Sequence, residues 1–131
     1  MLLSIILPMY NVEQYVDRCI RSLENQDIDK DDYEILVIDD GSPDNSASIV
    51  GKLQTEFSNI TIYHKLNGGL SSARNYGIER AQGKYCWFVD SDDYLEKNVL
   101  KTLLYQLETH ELDYVGFNLY DVIQGKKCKG T

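Results

Sequence analysis

Two carboxylates spaced i and i+2, Asp90 and Asp92, follow an apolar run in Asp90-Ser91-Asp92-Asp93. Such a pair on a tight turn can present oxygens to one hard cation. Mg²⁺ or Mn²⁺ prefers oxygen ligands and accepts phosphate oxygens to complete its shell. The alternative is that Asp92 or Asp93 caps a helix starting near Leu95. A second cluster, Asp39-Asp40-Gly41-Ser42, also closes an apolar run. A carboxylate there can accept from a uracil-type ring N–H or a ribose hydroxyl. It can equally be a plain Asp-Gly turn, with Ser42 or Asp44 capping the next helix. A third cluster, Pro8-Met9-Tyr10-Asn11, offers the Tyr10 ring for stacking a base. Its bland counterpart is a strand stop with Asn11 as a helix cap. A fourth element, Asn67-Gly68-Gly69-Leu70, leads into Ser71-Ser72-Ala73-Arg74-Asn75. Glycines allow close backbone approach to a ligand. A helix N-terminus favours anions, and Arg74 adds a planar cation suited to phosphate. Alone, this is also a surface turn with Arg74 in an ion pair.

The elements that must position these clusters alternate along the chain. Leu2 to Leu7 is an apolar run that Pro8 is expected to end. Val12 to Gln26 carries Val12, Val16, Cys19, Ile20 and Leu23 on one helical face. Tyr33 to Ile38 reads as a second strand, Ser46 to Phe57 as a helix, and Ile60 to His64 as a third strand. Ser71 to Gln82 reads as a helix capped by Ser71 or Ser72. Tyr85 to Val89 is a fourth strand, Leu95 to Thr109 an amphipathic helix, and Asp113 to Val122 a fifth strand candidate. The basic, glycine-containing end, Gln124 to Thr131, reads as a fraying tail. Near-continuous apolar strands joined by helices imply an α/β fold. Its sheet is open, mostly parallel and doubly wound, with helices on both faces. In such a sheet ligands bind beyond the carboxyl ends of the strands. All three strand-end clusters then fall along one rim.

Composition bounds the rest. The chain has 131 residues, 43% hydrophobic and 26% charged, which suits one soluble globular domain. No apolar run approaches the roughly 18 residues of a membrane span. Thirteen basic against twenty-one acidic residues give a formal charge of −8, which disfavours nucleic-acid binding. A phosphate ligand therefore needs a local cation, a helix N-terminus or a metal. Three cysteines at wide spacing argue against structural zinc and a disulfide framework. Cys19 and Cys86 read as core residues, and the balance points to the cytoplasm. The chain lacks GxGxxG after its first strand, GxxxxGK[ST] and GxSxG, which disfavours dehydrogenase, P-loop and serine-hydrolase readings. A nucleotidyltransferase would need a glycine-rich, basic loop after the first strand, where this chain has Pro8-Met9-Tyr10-Asn11.

The ordered set resembles the N-terminal, donor-binding part of a family 2 glycosyltransferase with the GT-A fold. The matching stretches are Ser4 to Asn11, Val37 to Ser42, Asn67 to Asn75 and Phe88 to Asp93. The resemblance implies inverting transfer of a sugar from a nucleoside diphosphate, a UDP-sugar first, to an acceptor hydroxyl. The acceptor would be a saccharide or lipid-linked saccharide of bacterial surface polysaccharide synthesis. It assigns Pro8, Tyr10 and Asn11 to the base and ribose region. It assigns Asp39, Asp40, Gly41 and Ser42 to the nucleoside, with Asp40 rather than Asp39 on the base ring N–H. Gly69, Arg74, Asp90 and Ser91 join the nucleotide site. Asp90-Ser91-Asp92 matches the family's DxD motif, with Asp92, and Asp90 beside it, as ligands of Mn²⁺ or Mg²⁺. The same resemblance places the general base and acceptor site beyond Thr131. No catalytic base is therefore assigned, and the domain, residues 1–123, reads as truncated on its acceptor side. That leaves a non-catalytic nucleotide-sugar-binding module as the alternative. It also implies exposed apolar surface favouring self-association, and a full-length protein working at the inner face of the membrane.

Overall fold

The structure is a computed structural model, and it describes residues 1–109, 114–118 and 122–127. A six-stranded sheet runs in the order β3-β2-β1-β4-β6-β5. Its strands are β1 (Leu3–Met9), β2 (Tyr33–Asp39), β3 (Ile60–His64), β4 (Tyr85–Phe88), β5 (Tyr114–Asn118) and β6 (Val122–Lys127). The helices are α1 (Val16–Glu24), α2 (Ser46–Glu56), α3 (Leu70–Arg80) and α4 (Leu100–Thr109). The first four strands pair in parallel, and β6 pairs antiparallel with both β4 and β5.

Strand alternation sorts the side chains into two cores. Leu3, Ile5, Leu7 and Met9 of β1, with Tyr33, Ile35 and Val37 of β2, face the buried residues of α1, α2 and α4. Ile6, Leu36, Ile38 and Cys86 face α3 through Ala73 and Ala81. The apolar strand runs thus reflect burial on both faces. Ser4 interrupts the β1 run and is fully buried. Its hydroxyl donates to Glu34 and accepts from the Gly83 N–H, so burial leaves it satisfied.

The chain winds outward from β1 through β2 to β3, then returns across the sheet by α3 to β4 on the other side of β1. The two windings diverge between β1 and β4. That crevice is the topological switch point, where open α/β sheets bind ligands.

Several boundaries differ from the sequence reading. β1 continues through Pro8 and Met9, which pair with Ile38 and Asp39. The Val89 N–H donates to the Ile6 carbonyl. The alternation therefore turns the Pro8 nitrogen toward β4, past that strand's end at Phe88. No ladder bond is lost there, so proline is tolerated in a central strand. α1 begins at Val16 rather than Val12. Asn11 does not cap it but takes a left-handed φ of 57°. The Val12 and Glu13 N–H groups donate instead to the Ser46 hydroxyl and the Asp44 carboxylate. α3 begins at Leu70, with Gly69 at φ 94° as its cap residue in place of Ser71 or Ser72.

α4 begins at Leu100, five residues later than the periodicity suggests. Its first donors find acceptors on the C-terminal side of α1. The Val99 and Leu100 N–H groups donate to Gln26 Oε1, and the Lys101 N–H donates to Asp27 Oδ1. Neither Asp92 nor Asp93 is near enough in sequence to cap a helix that starts at Leu100. The expected single strand at 113–122 is a pair, β5 and β6, and the expected tail from Gln124 to Thr131 is strand through Lys127. The last part of that tail, Cys128 to Thr131, lies outside the described residues. β-Pairing to the exposed edge of β4 satisfies backbone groups whatever the side chains, which is why composition misjudged this stretch.

Candidate nucleotide site at the sheet switch point

A cavity of about 400 Å³ opens at the carboxyl ends of the strands. Pro8, Met9, Tyr10 and Val12 line it from the end of β1, and Asp40 from the end of β2. Asn67, Gly69, Leu70 and Ala73 close it from the loop and first turns of α3. Asp90, Ser91 and Asp92 close it from the end of β4. Sequence-separated clusters converge because parallel strands all end on the same rim.

The two neighbouring carboxylates after β2 have different tasks. Asp39 Oδ1 accepts the Ser42 N–H at 2.9 Å, and Oδ2 lies 3.0 Å from His64 Nδ1. Asp39 therefore braces its own turn and the end of β3. Ser42 continues the brace, its hydroxyl accepting the Asn11 N–H at 3.2 Å. Gly41 allows the turn, at φ 78°. Asp39, Gly41, Ser42 and Asn11 thus lie behind the cavity wall.

Asp40 lines the cavity and is buried. Its Oδ1 accepts from Lys65 Nζ at 2.8 Å and from the Gly68 N–H at 2.9 Å. Its Oδ2 accepts from the Gly69 N–H at 2.9 Å. Burial pushes the carboxyl toward protonation, but the Lys65 ammonium and the two glycine N–H groups outweigh it. The carboxyl is held below its usual range, so Asp40 is an anion that accepts and does not donate. Asn67 Nδ2 donates to the Asp40 carbonyl at 3.0 Å, binding the loop a fourth time.

Opposite Asp40, the turn after β4 is closed by the Asp93 N–H donating to the Asp90 carbonyl. Carboxylate oxygens of Asp90, Asp92 and Asp93 come within 4.8 Å of one another. With α4 capped from α1, the capping alternative for these residues is removed. Three hard oxygen donors beside an open cavity suit Mg²⁺ or Mn²⁺, which keep positions for water and phosphate. Asp93, which the sequence offers with Asp92 as an alternative helix cap, belongs to this group. The turn is held from α1, where Cys19 Sγ donates to the Asp90 carbonyl at 3.6 Å. Arg18 reaches the Asp92 carbonyl at 3.5 Å and stacks 4.6 Å from the Tyr94 ring centroid.

Arg74 does not line the cavity but reaches Asp90, which does. Its terminal nitrogen is 3.8 Å from Asp90 Oδ1, and its guanidinium lies 5.5 Å from the Phe88 ring centroid. Its Nε is buried without a hydrogen-bond partner. Tyr10, half exposed at 49%, presents its ring at the cavity mouth.

Lys65 carries no signal in the sequence. It is one of thirteen basic residues, and only the fold brings it to Asp40. Met9, Val12, Leu70 and Ala73 also line the cavity. They sit beside the polar clusters and differ in no way from core residues in a pattern of hydropathy. The general base expected beyond Thr131 falls outside the described residues, and no residue of the cavity is assigned that role.

An α/β sheet of this order, with its cavity at the switch point and an acidic turn after β4, has the architecture of the GT-A fold. The sequence profile of glycosyl transferase family 2 matches residues 4–128, and the chain belongs to that family. It is 44% identical over 119 residues to the uncharacterized glycosyltransferase EpsJ of Bacillus subtilis, covering 91% of this chain and 34% of that protein. It is 35% identical over 111 residues to the poly(ribitol-phosphate) beta-N-acetylglucosaminyltransferase TarS of Staphylococcus aureus, covering 84% of this chain and 19% of that one. The crystal structure of S. aureus TarS 1-349 with UDP superposes with a TM-score of 0.82 at 34% identity, over 87% of this chain and 34% of that one. TarS 1-349 with UDP-GlcNAc gives 0.82 at 36% identity, over 87% of this chain and 33% of that one. The chain thus spans about a third of the length of EpsJ and of TarS 1-349. Among the described residues, no helix is long and apolar enough to cross a membrane.

Proposed function

We propose that this chain is the donor-binding part of an inverting glycosyltransferase. The enzyme moves a sugar from a nucleoside-diphosphate sugar, a UDP-sugar first, to a hydroxyl of a saccharide or lipid-linked saccharide acceptor. The observation that carries the proposal is one cavity joining an ionised acceptor, Asp40, to an acidic turn, Asp90 to Asp93, across the start of α3. The TarS structures, which hold UDP and UDP-GlcNAc, support the choice of donor. The minor teichoic acid biosynthesis protein GgaB of B. subtilis, 37% identical over 120 residues, and the poly(ribitol-phosphate) transferase TarS support a role in surface polysaccharides, which the full-length enzyme would perform at the inner face of the membrane.

In this reading Asp40 accepts the ring N–H of the base, and Tyr10 stacks on it. Pro8 and Asn11 shape the base and ribose region, with Asp39, Gly41 and Ser42 bracing it from behind. Gly69, whose own N–H is held by Asp40, lets the backbone approach the diphosphate, and the N–H groups of the first turn of α3 face it. Arg74 supplies a cation where negative charge develops as the nucleoside diphosphate leaves. Asp92 and Asp90, with Ser91 between them and Asp93 alongside, would hold Mn²⁺ or Mg²⁺. When bound, that ion supplies Lewis-acid stabilisation of the leaving diphosphate. The general base and the acceptor site are assigned to a portion of the protein beyond Thr131, and the donor domain, expected to end at residue 123, is extended through the end of β6 at Lys127.

A thermal-shift panel of UDP, GDP, CDP, dTDP and ADP, with and without Mn²⁺, tests the proposal. A nucleotide at 100 times its dissociation constant stabilises the fold by about 2.7 kcal/mol. UDP is expected to shift the transition in the presence of Mn²⁺, and Asp92→Ala to abolish the metal-dependent part. No shift with any nucleotide overturns the donor site. A UDP shift indifferent to both Mn²⁺ and Asp92→Ala overturns the metal assignment alone.

A further inference from the structure

We propose that Lys65 is a positioning residue for the donor base, acting through Asp40 to make the pocket select a base with a ring N–H. This inference rests on the reading of the cavity as a donor nucleotide site, and it concerns a residue with no place in that reading.

Lys65 begins the loop between β3 and α3, and its own N–H continues the sheet by donating to the Asp39 carbonyl. Its side chain is only 13% exposed, against 7% for Asp40, so the ion pair between them is largely removed from water. A lysine seldom accepts burial without a partner. Here the ammonium donates both to Asp40 Oδ1 at 2.8 Å and to the Leu66 carbonyl at 2.7 Å. The ammonium and the Gly68 N–H between them occupy Oδ1. Oδ2 takes one N–H, from Gly69, and a carboxylate oxygen has room for two. The uncommitted acceptor position of this cavity-lining group is therefore on Oδ2.

The consequence is chemical selection. An anionic oxygen can accept from the N3–H of uracil. Cytosine presents a lone pair at N3 and carries its donor on the exocyclic N4 beside it, so a carboxylate placed for an N3–H meets a lone pair. Discrimination of this kind is strong where a buried polar group is left unpaired. The other charged groups about Asp40 do not substitute for Lys65. His64 is paired with Asp39, and Asp90 and Asp92 across the cavity are themselves acidic. Without the ammonium, the carboxylate keeps only the Gly68 and Gly69 N–H partners and loses its one paired cation, the contact that fills the remaining position on Oδ1.

The test compares UDP with CDP, which share ribose and diphosphate and differ at the base. Affinities are measured by calorimetry in Mn²⁺ buffer for the full chain, Lys65→Met, Lys65→Arg, Asp40→Asn and the double variant Lys65→Met/Asp40→Asn, with circular dichroism confirming the fold of each. The unmodified chain is expected to prefer UDP by about tenfold or more, the worth of one hydrogen bond to a charged group. Lys65→Met should lower UDP affinity by about tenfold and leave CDP within about threefold, narrowing the ratio. Lys65→Arg, which keeps the cation, should restore most of the preference. Adding Lys65→Met to Asp40→Asn should narrow the ratio no further, because the lysine acts through the carboxylate. If Lys65→Met weakens both nucleotides equally, or neither, the residue merely supports the loop and the proposal is overturned. If Lys65→Met does not fold, Lys65→Arg decides, and an unfolded or non-selective Lys65→Arg also overturns it. A chain that binds UDP and CDP equally refutes the selection while leaving the donor site intact. A chain that binds neither refutes the donor site itself.

Discussion

Gly77 occupies the middle of α3, where a glycine would ordinarily weaken a helix. Replacing it with alanine should gain about 0.8–1 kcal/mol from helix propensity alone. The structure argues for the opposite sign. A Cβ at position 77 would lie 2.5 Å from Ile6 Cγ2, 3.2 Å from Ile6 Cγ1 and 3.4 Å from Ile38 Cγ1. Carbon pairs are at optimal separation near about 3.5–4.0 Å, so the first contact is short by at least about 1 Å. Ile6 is fully buried and β-branched, so it has little rotamer freedom with which to yield. Overpacking of this kind costs about 1–3 kcal/mol. Set against the propensity gain, Gly77→Ala should destabilise the chain by about 1 kcal/mol. Urea denaturation would show this as a lower midpoint at unchanged slope.

Two companions make the reasoning refutable. Gly51 in α2 has nothing within 4 Å of a Cβ, so Gly51→Ala should stabilise by about the full propensity difference. Ile6→Ala removes both contacting atoms and should itself cost about 2–5 kcal/mol. In that background Gly77→Ala should become stabilising, since its methyl fills vacated space. Independent sites would add to within about 0.5 kcal/mol, so the reversal of sign is a clear coupling. Stabilisation by Gly77→Ala alone, or simple additivity with Ile6→Ala, would refute the close approach of α3 to β1. The approach matters because α3 brings Leu70 and Ala73 to the cavity and Arg74 to Asp90 at its wall. Its stripe of Ala73, Gly77 and Ala81 is what lets it lie close on the sheet.

Acid should weaken the Asp40 clamp. The folded carboxyl titrates below its unfolded value, so its stabilisation is complete above about pH 4–5 and is lost as pH falls through the folded value. The stability difference between the unmodified chain and Asp40→Asn, followed by denaturant titration from pH 7 to about 2.5, should therefore shrink below about pH 4. A difference constant with pH would count against an ionised clamp. Gln26→Ala removes the acceptor shared by the Val99 and Leu100 N–H groups and should cost about 1–2 kcal/mol. Hydrogen exchange at those two amides should accelerate more than at the middle of α4. Equal protection in both proteins would show that α4 starts without help from α1.

Much of this protein is legible along the chain. The apolar runs Leu3 to Leu7 and Tyr33 to Ile38 become adjacent parallel strands because residues of that kind need burial on both faces. Given a parallel sheet, the polar clusters at the strand ends must share a rim, so the sequence alone places Tyr10, Asp40 and Asp92 together. The residue types there already set the chemistry: carboxylates for a ring N–H or a hard cation, an arginine for phosphate.

Relations between positions with no local signature are set by packing alone. Asp39 and Asp40 are chemically identical neighbours, and only the family resemblance, not their own chemistry, singled out Asp40 from the sequence. Asp39 ends β2 beside its register partner His64, whereas Asp40, one residue past the strand, is turned to the cavity by Lys65 and the Gly68 and Gly69 N–H groups. Lys65 becomes Asp40's partner through a contact spanning 25 residues. The start of α4 is set by Gln26, some 70 residues earlier, because helix N–H groups accept any well-placed oxygen regardless of where in the chain it originates. Residues 124–127 join the sheet by backbone hydrogen bonding, which polar and glycine residues can do as well as any other. Hydropathy and turn chemistry are properties of short windows, and they specify the strands, the helices and the rim. The partners of each buried charge and each helix end are found across the fold, and only packing selects among them.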